Sequence, residues 1–390
     1  MLSSWERVTR ELLHEEPDRV PWGGEGVSMP TADIILGRPA LTGMGGRRRI
    51  LELQSRGKHA EARSRIRADI LDLAKKLKID LVQVINLPPM EGEKPTILSE
   101  REWTYDGQKN LRTIEGNLLT IEVEAGTGRR IKYGLEDLED LISGIETGVQ
   151  EAEASATEAF DDLSSLVKTI KDDLEAAVIY PTWNCFLTHP DWLPTFLRAF
   201  HTHPDLILRF ERVQSRKAIA AGKAAIDAGV DVIGIGGDLA YKKGPMISPD
   251  KYHRFILPFM RKASEAFHRK GAYSMIASDG NLMPIAQDYF IESRVDAVRE
   301  IEPGPMDRVV VKENFGHRVC LNGNVDCGRT LGLSSPDEVA RETKQNIELW
   351  SPGGGHIISS SNTISPNVRP ENFLSMWRAI FRYGNNARIR

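Results

Sequence analysis

The stretch VDVIGIGGDLAYKKGPMISPDKYHRFILPFMRKASEAFHRKGAYSMIASD, residues 230–279, decides the fold. It opens on a β-branched run (230–238) and passes through SPDKY (248–252), where Ser then Pro supplies an N-cap and a first helical position. Helical periodicity holds over 249–270, and a second apolar run, AYSMIASD (272–279), closes the unit. Strand, helix and strand in that order form one step of a parallel sheet.

The same alternation repeats in both directions. Short apolar runs stand at 19–24, 79–85, 176–182, 296–303, 318–326 and 356–362, giving eight expected strands with the two above. Helical patterns occupy 58–78, 138–174 with a break expected near Gly148, 205–228, 284–293, 308–316, 336–350 and 370–384. Eight strands each followed by a helix predict an α/β fold, a (β/α)8 (TIM) barrel, in one domain over 1–390. An open doubly wound sheet is the alternative. Against it, no Gly-rich dinucleotide fingerprint follows the first strand. Residues 100–174 form an insertion after the second strand: 100–134 alternate polar and apolar positions with Gly-containing breaks, predicting β-hairpins, and an acidic helical stretch follows. An insertion there is expected to cover the C-terminal face or to serve as an arm of a homodimer.

Composition narrows the partners. With 41% hydrophobic and 27% charged residues among 390, the chain is globular and has a sizeable core. Its net charge of -4 comes from interspersed charges with no basic stripe, which excludes nucleic acid. No apolar run approaches the ~20 residues that span a bilayer, and the opening MLSSWERVTRELLHEEPDR is charged and amphipathic, so no membrane partner and a cytoplasmic location are expected. Three cysteines, Cys185, Cys320 and Cys327, make neither a disulfide framework nor a CxxC pair and are expected to be reduced.

A barrel gathers its chemistry at the C-terminal ends of its strands. The first strand runs into Gly23-Gly24-Glu25, the third into Trp183-Asn184, the fourth into Asp238, the fifth into Ser278-Asp279, the sixth into Glu302, the seventh through Asn324 to Asp326, and the eighth into Asn362. Each of these serves equally well alone as a turn or cap residue. Pointing at one mouth, the carboxylates raise one another's pKa, which suits acid–base work or the holding of a cation. Trp183 with Tyr180 is a candidate pocket wall. The metal question stays open: HExxH is absent, and His201 and His203 sit in a predicted solvated turn. His356 reads as a core histidine, and Cys185, lacking an adjacent base, is not read as a nucleophile.

These blocks carry a family resemblance. WERVTRELLHEEPDRVPW (5–22), the 229–271 segment, CLNGNVDCGRTLGLSSPDEVARETKQNIE (320–348) and GGGHIISSSNTISPNVRPENFLSMW (353–377) resemble the uroporphyrinogen decarboxylase superfamily. The resemblance implies a (β/α)8 barrel that either removes carboxylates without a cofactor or transfers methyl groups to a corrinoid protein, with zinc in many of the methyltransferases. The decarboxylases carry an arginine-rich segment at strand one, where this chain has GGEGVSMPTADI (23–34) and Glu25. The zinc-dependent methyltransferases carry His-x-Cys at strand five and a Cys after strand eight; the matching positions are Ala277, Asp279 and Asn362, so the zinc-site residues are not retained. The resemblance therefore implies the branch that lacks those residues: a methyltransferase acting on a small methylated, for example methoxy, compound, with no tightly bound cofactor and a corrinoid on a partner protein. Asp279, Glu25 and Asn362 are the expected catalytic residues; Trp183, Asn184, Asp238, Asn281, Glu302, Asn324 and Asp326 are expected to bind the substrate. A decarboxylase-like carboxy-lyase and a non-catalytic binding barrel are the alternatives.

Overall fold

The computed structural model describes residues 1–385 except 44, 101, 106–107, 113–119, 124–130, 156–160, 185, 188 and 190; of residues 108–112, 120–122, 150–155 and 183–184 the backbone alone is described. The strands Leu81–Gln83, Ala177–Asn184, Val232–Gly236, Tyr273–Ala277, Ala297–Arg299, Cys320–Val325 and His356–Ser360 lie side by side in sequence order as a parallel sheet. Closure falls to the expected first strand. Its residue Trp22 pairs in parallel with Ile358, and Gly23 pairs with Leu81, so the segment fills the gap between the sheet's two outer strands.

This segment makes bridges rather than a regular ladder, and charged clamps at its base hold it. Arg19 forks onto the buried Asp80 at 2.7 and 2.8 Å, Asp80 also accepts from the Trp22 amide at 3.0 Å, and Arg7 forks onto Asp18 at 2.6 and 2.9 Å. Two-pronged guanidinium–carboxylate pairs fix direction as well as distance. The PDR of the opening block thus fastens the strand that delivers Glu25.

Alternation along the strands splits the core in two. Leu81, Ala177, Ile179, Val232, Met275, Ala297, Cys320 and Ile357 fill the barrel, and Val8 and Leu12 of the helix Ser4–Leu12 plug its N-terminal end. Their neighbours in the strands, such as Val178, Ile233, Ile276 and Leu321, face outward onto the helices. Each fully buried aliphatic side chain contributes about 1.5–3 kcal/mol.

The insertion contains a four-stranded antiparallel sheet, Thr96–Ile97, Glu102–Tyr105, Gln108–Arg112 and Thr120–Val123, as the Gly-punctuated alternation predicts. Helices Leu135–Ser155 and Asp161–Leu174 follow. The expected break near Gly148 is not there: the first helix runs through it, because Leu138, Ile142 and Val149 keep one buried face and outweigh the ~1 kcal/mol that a helical glycine costs. Leu163, Leu166, Val167 and Ile170 of the second helix belong to the main core, so that helix is part of the barrel's outer layer. No described helix is long and apolar enough to cross a membrane.

Candidate active site

The strands end at a cleft of about 1570 Å³, lined among others by Asp238, Asp279, Glu302, Asp326 and Asn362. Five of the ten expected site residues therefore meet in one space, each contributed by a different strand end.

Asp279 follows the strand Tyr273–Ala277 through the buried Ser278, whose hydroxyl accepts from the Leu239 amide at 2.9 Å and donates to the Asp279 carbonyl at 3.0 Å. The chain then turns sharply at Gly280, where φ is +85° and a Cβ would lie 2.7 Å from the Ala240 backbone. Only glycine meets both demands. The Asn362 amide donates to the Asp279 carboxylate at 3.0 and 2.8 Å, and Asn362 Oδ1 accepts from the Thr363 amide at 2.7 Å, fixing which end of the amide faces Asp279. Burial, then the charges of Glu300 and Asp238, push Asp279 up to about 7 against the opposing pull of the Asn362 bond. Burial and Glu300 also raise Asp238.

Glu25 sits beside the cleft, 8% exposed. Gly24 sets it there: φ is +89°, and a Cβ would lie 2.7 Å from Asn322 Oδ1. Glu25 Oε2 accepts from the Thr363 hydroxyl at 3.3 Å and lies 3.5 Å from Arg299, which is closer to Glu300, at 3.0 Å, and also donates to the Gly24 carbonyl at 2.5 Å. With the better ion pair going to Glu300, burial pushes Glu25 up to about 8. Arg299 was not expected from the sequence. The signal was present in VRE at 298–300, a charged pair inside an apolar strand.

Several expectations are corrected. Asn281 does not line the cleft; its Oδ1 accepts from the Met283 amide at 3.0 Å and caps a turn. Asn324 is fully buried, donates to the Ile301 carbonyl at 2.9 Å and does not line the cleft. Tyr180 is a core residue bonded to Asn86 at 2.7 Å rather than a pocket wall. None of the insertion's described residues lines the cleft. Trp183 and Asn184 close the strand Ala177–Asn184, but their side chains, like all of Cys185, lie outside the described residues. Glu302 and Asp326 reach the cleft and brace it: Glu302 accepts from the Gly280 amide at 3.1 Å, and Asp326 accepts from Gly328 and Arg329 at 2.9 Å each. His356 is buried between Ser351 and the Gly323 carbonyl, and burial pushes it down to about 3, a core histidine as expected.

Among the described residues no three His, Cys, Asp or Glu side chains are grouped to hold a metal ion. Asp279 and Asn362, one hard oxygen donor and one amide, do not fit a thiolate zinc centre. Cys327 lines the cleft as a thiol pushed up to about 12 by burial. The floor is acidic, whereas Arg308, Arg329 and Arg341 stand on the helical side, the last two exposed.

Residues 192–383 match the family model for uroporphyrinogen decarboxylase (URO-D). The chain is 25% identical over 149 residues to uroporphyrinogen decarboxylase of Magnetococcus marinus, covering 36% of this chain and 39% of that protein. It is likewise 25% identical over 138 residues to the enzyme of Pseudoalteromonas translucida, covering 33% and 36%. The matched stretch thus spans less than half the length of these curated relatives. A solved methyltransferase from Methanosarcina mazei superposes with a TM-score of 0.65 at 16% identity, covering 98% of this chain and 99% of that one, which establishes the shared barrel fold.

Proposed function

The chain is a member of the uroporphyrinogen decarboxylase superfamily, and on that premise we propose that it is a methyltransferase that takes the methyl group of a small methyl ether and delivers it to a corrinoid protein. The observation that carries this reading is Asp279: a buried carboxyl, raised to about 7 and aimed by Asn362, at the wall of an open cleft.

Ether cleavage leaves a poor oxyanion unless a proton arrives with the breaking bond. An acid with a pKa near the working pH is the efficient donor. A methyl-transferring site built for a quaternary amine has no such need, because its leaving group departs neutral.

The carrier's reduced cobalt supplies the nucleophile that accepts the methyl group. The rest is the chain's own work. Asn362 holds the Asp279 carboxyl in one orientation. The methyl carbon–oxygen bond breaks with its electron pair left on oxygen, Asp279 gives that oxygen its proton, and an alcohol leaves; water then restores the proton to Asp279. Glu25, protonated at neutral pH by its burial, adds no negative charge beside the cleft as the oxygen develops its own. An open cleft leaves the site within reach of a large acceptor.

Decarboxylation of a polycarboxylate is the weaker reading. Arg299 is engaged by Glu25, Glu300 and the Gly24 carbonyl, and although Arg308, Arg329 and Arg341 line the helical side of the cleft, its floor holds Asp238, Asp279 and Glu302, a poor surface for a polyanion. The test is Asp279→Asn: methyl transfer from an ether falls by about 10²–10⁴ with KM little changed. Full activity in this variant overturns the assignment.

A further inference from the structure

Behind Glu25 lies a second, smaller cavity of about 160 Å³ that shares Thr363 with the large cleft. Its walls are Ile70 and Leu73 from the helix His59–Leu77, Ile79 from the turn that follows, Val82 from the strand Leu81–Gln83, and Ile85, which is 39% exposed and stands at the lip. Three buried oxygens belonging to its lining residues, Glu25 Oε1, Thr42 Oγ1 and Gln83 Oε1, have no hydrogen-bond partner among the described residues. Buried polar atoms in proteins are nearly always satisfied, so three around one cavity call for an occupant.

The shape and chemistry limit what it is. A cavity of ~150 Å³ with aliphatic walls holds a benzene ring. A ring alone leaves the three oxygens unmet, and water alone leaves the aliphatic walls against a polar occupant. A carboxylate is disfavoured, because Glu25 and Gln83 present oxygens to it. A hydroxyl fits, since it both donates and accepts: it can donate to Gln83 Oε1 and accept from Thr42 or from the protonated Glu25. Through the shared Thr363, a ring held here presents a neighbouring substituent to the cleft that contains Asp279 and Asn362.

We propose that this side pocket is a recognition subsite for a six-membered ring bearing a hydroxyl, a phenol, which selects the substrate that the adjoining cleft acts on. The inference rests on the proposed function only in taking that cleft as the catalytic one.

The test is calorimetric titration of the full chain with phenol and with toluene, in the absence of any methyl donor or acceptor, so that its outcome is separable from the fate of the methyltransferase reading. Phenol binds saturably at one site per chain and toluene several-fold more weakly. Ile70→Phe fills the cavity and weakens phenol binding at least about tenfold, and Thr42→Val, of equal size without the hydroxyl, weakens it about threefold to tenfold. An unshifted melting temperature certifies each variant as folded; where Ile70→Phe fails that check, Thr42→Val decides. No saturable phenol binding, or binding indifferent to the folded variants, overturns the proposal.

Discussion

The side-chain amide of Asn362 donates to both carboxylate oxygens of Asp279, at 3.0 and 2.8 Å, tying the end of the eighth strand to the end of the fifth. This contact favours the charged form of a group that burial and neighbouring carboxylates raise, leaving it at about 7. Asn362→Ala removes it. The falling limb of the pH–rate profile, set by loss of the Asp279 proton, moves to higher pH in the variant. A limb that stays or moves to lower pH contradicts the role given to Asp279 as the proton donor.

Arg299 is the cation buried between Glu25 and Glu300. Arg299→Met leaves two carboxyls facing each other with no counter-charge, and breaking such a buried pair costs about 3–5 kcal/mol. Chemical denaturation at pH 7 is expected to show a loss of that size. A stability change under about 1 kcal/mol at pH 7 would falsify the clamp.

Gly280 turns the chain immediately after Asp279 at φ +85°, with the Ala240 backbone where a Cβ would be. Gly280→Ala forces strain of order 1–3 kcal/mol and displaces the carboxyl from Asn362. Activity is expected to fall more than tenfold in kcat, while the melting temperature drops by a few degrees.

At the opposite end of the barrel, Glu11 is fully buried, accepts from the His356 amide at 2.9 Å, and is pushed up to about 8 by burial. Its folded value lies above its unfolded one. The stability linked to it is therefore complete below about pH 4 and is lost as pH rises through about 8. Urea titrations from pH 5 to 8 show a decline to which this one proton contributes at most about 1.4 kcal/mol per pH unit, and Glu11→Gln flattens that share. An unchanged slope in the variant shows that Glu11 is already ionised in the fold.

The strand ends were legible because each apolar run stops abruptly on a small polar residue, and a parallel barrel turns eight such stops into one ring. Asp238, Asp279, Glu302, Asp326 and Asn362 reach the cleft for that reason. Asn281 and Asn324 have the same polar character, but one sits past the turn and the other is wholly buried two residues before Asp326. Arg299 escaped notice because a charge within a strand normally marks a solvent face, and here it marks a buried pair. Gly148 misled because a lone glycine punctuates only where packing does not override it. The side pocket had no signature at all: its walls come from ordinary aliphatic positions of a helix and a strand, and its character arises from the three oxygens that folding leaves without partners.

The central claim is methyl transfer from an ether, and one measurement meets it directly. A panel of methyl-labelled methoxy compounds is offered to the chain together with reduced cobalamin, and label on cobalt is followed by its visible spectrum and by counting. Label moves from at least one ether, at a rate that falls with loss of the Asp279 proton and drops by about 10²–10⁴ in Asp279→Asn. The account is contradicted if no ether in a broad panel yields labelled cobalamin while the same preparation releases carbon dioxide from uroporphyrinogen.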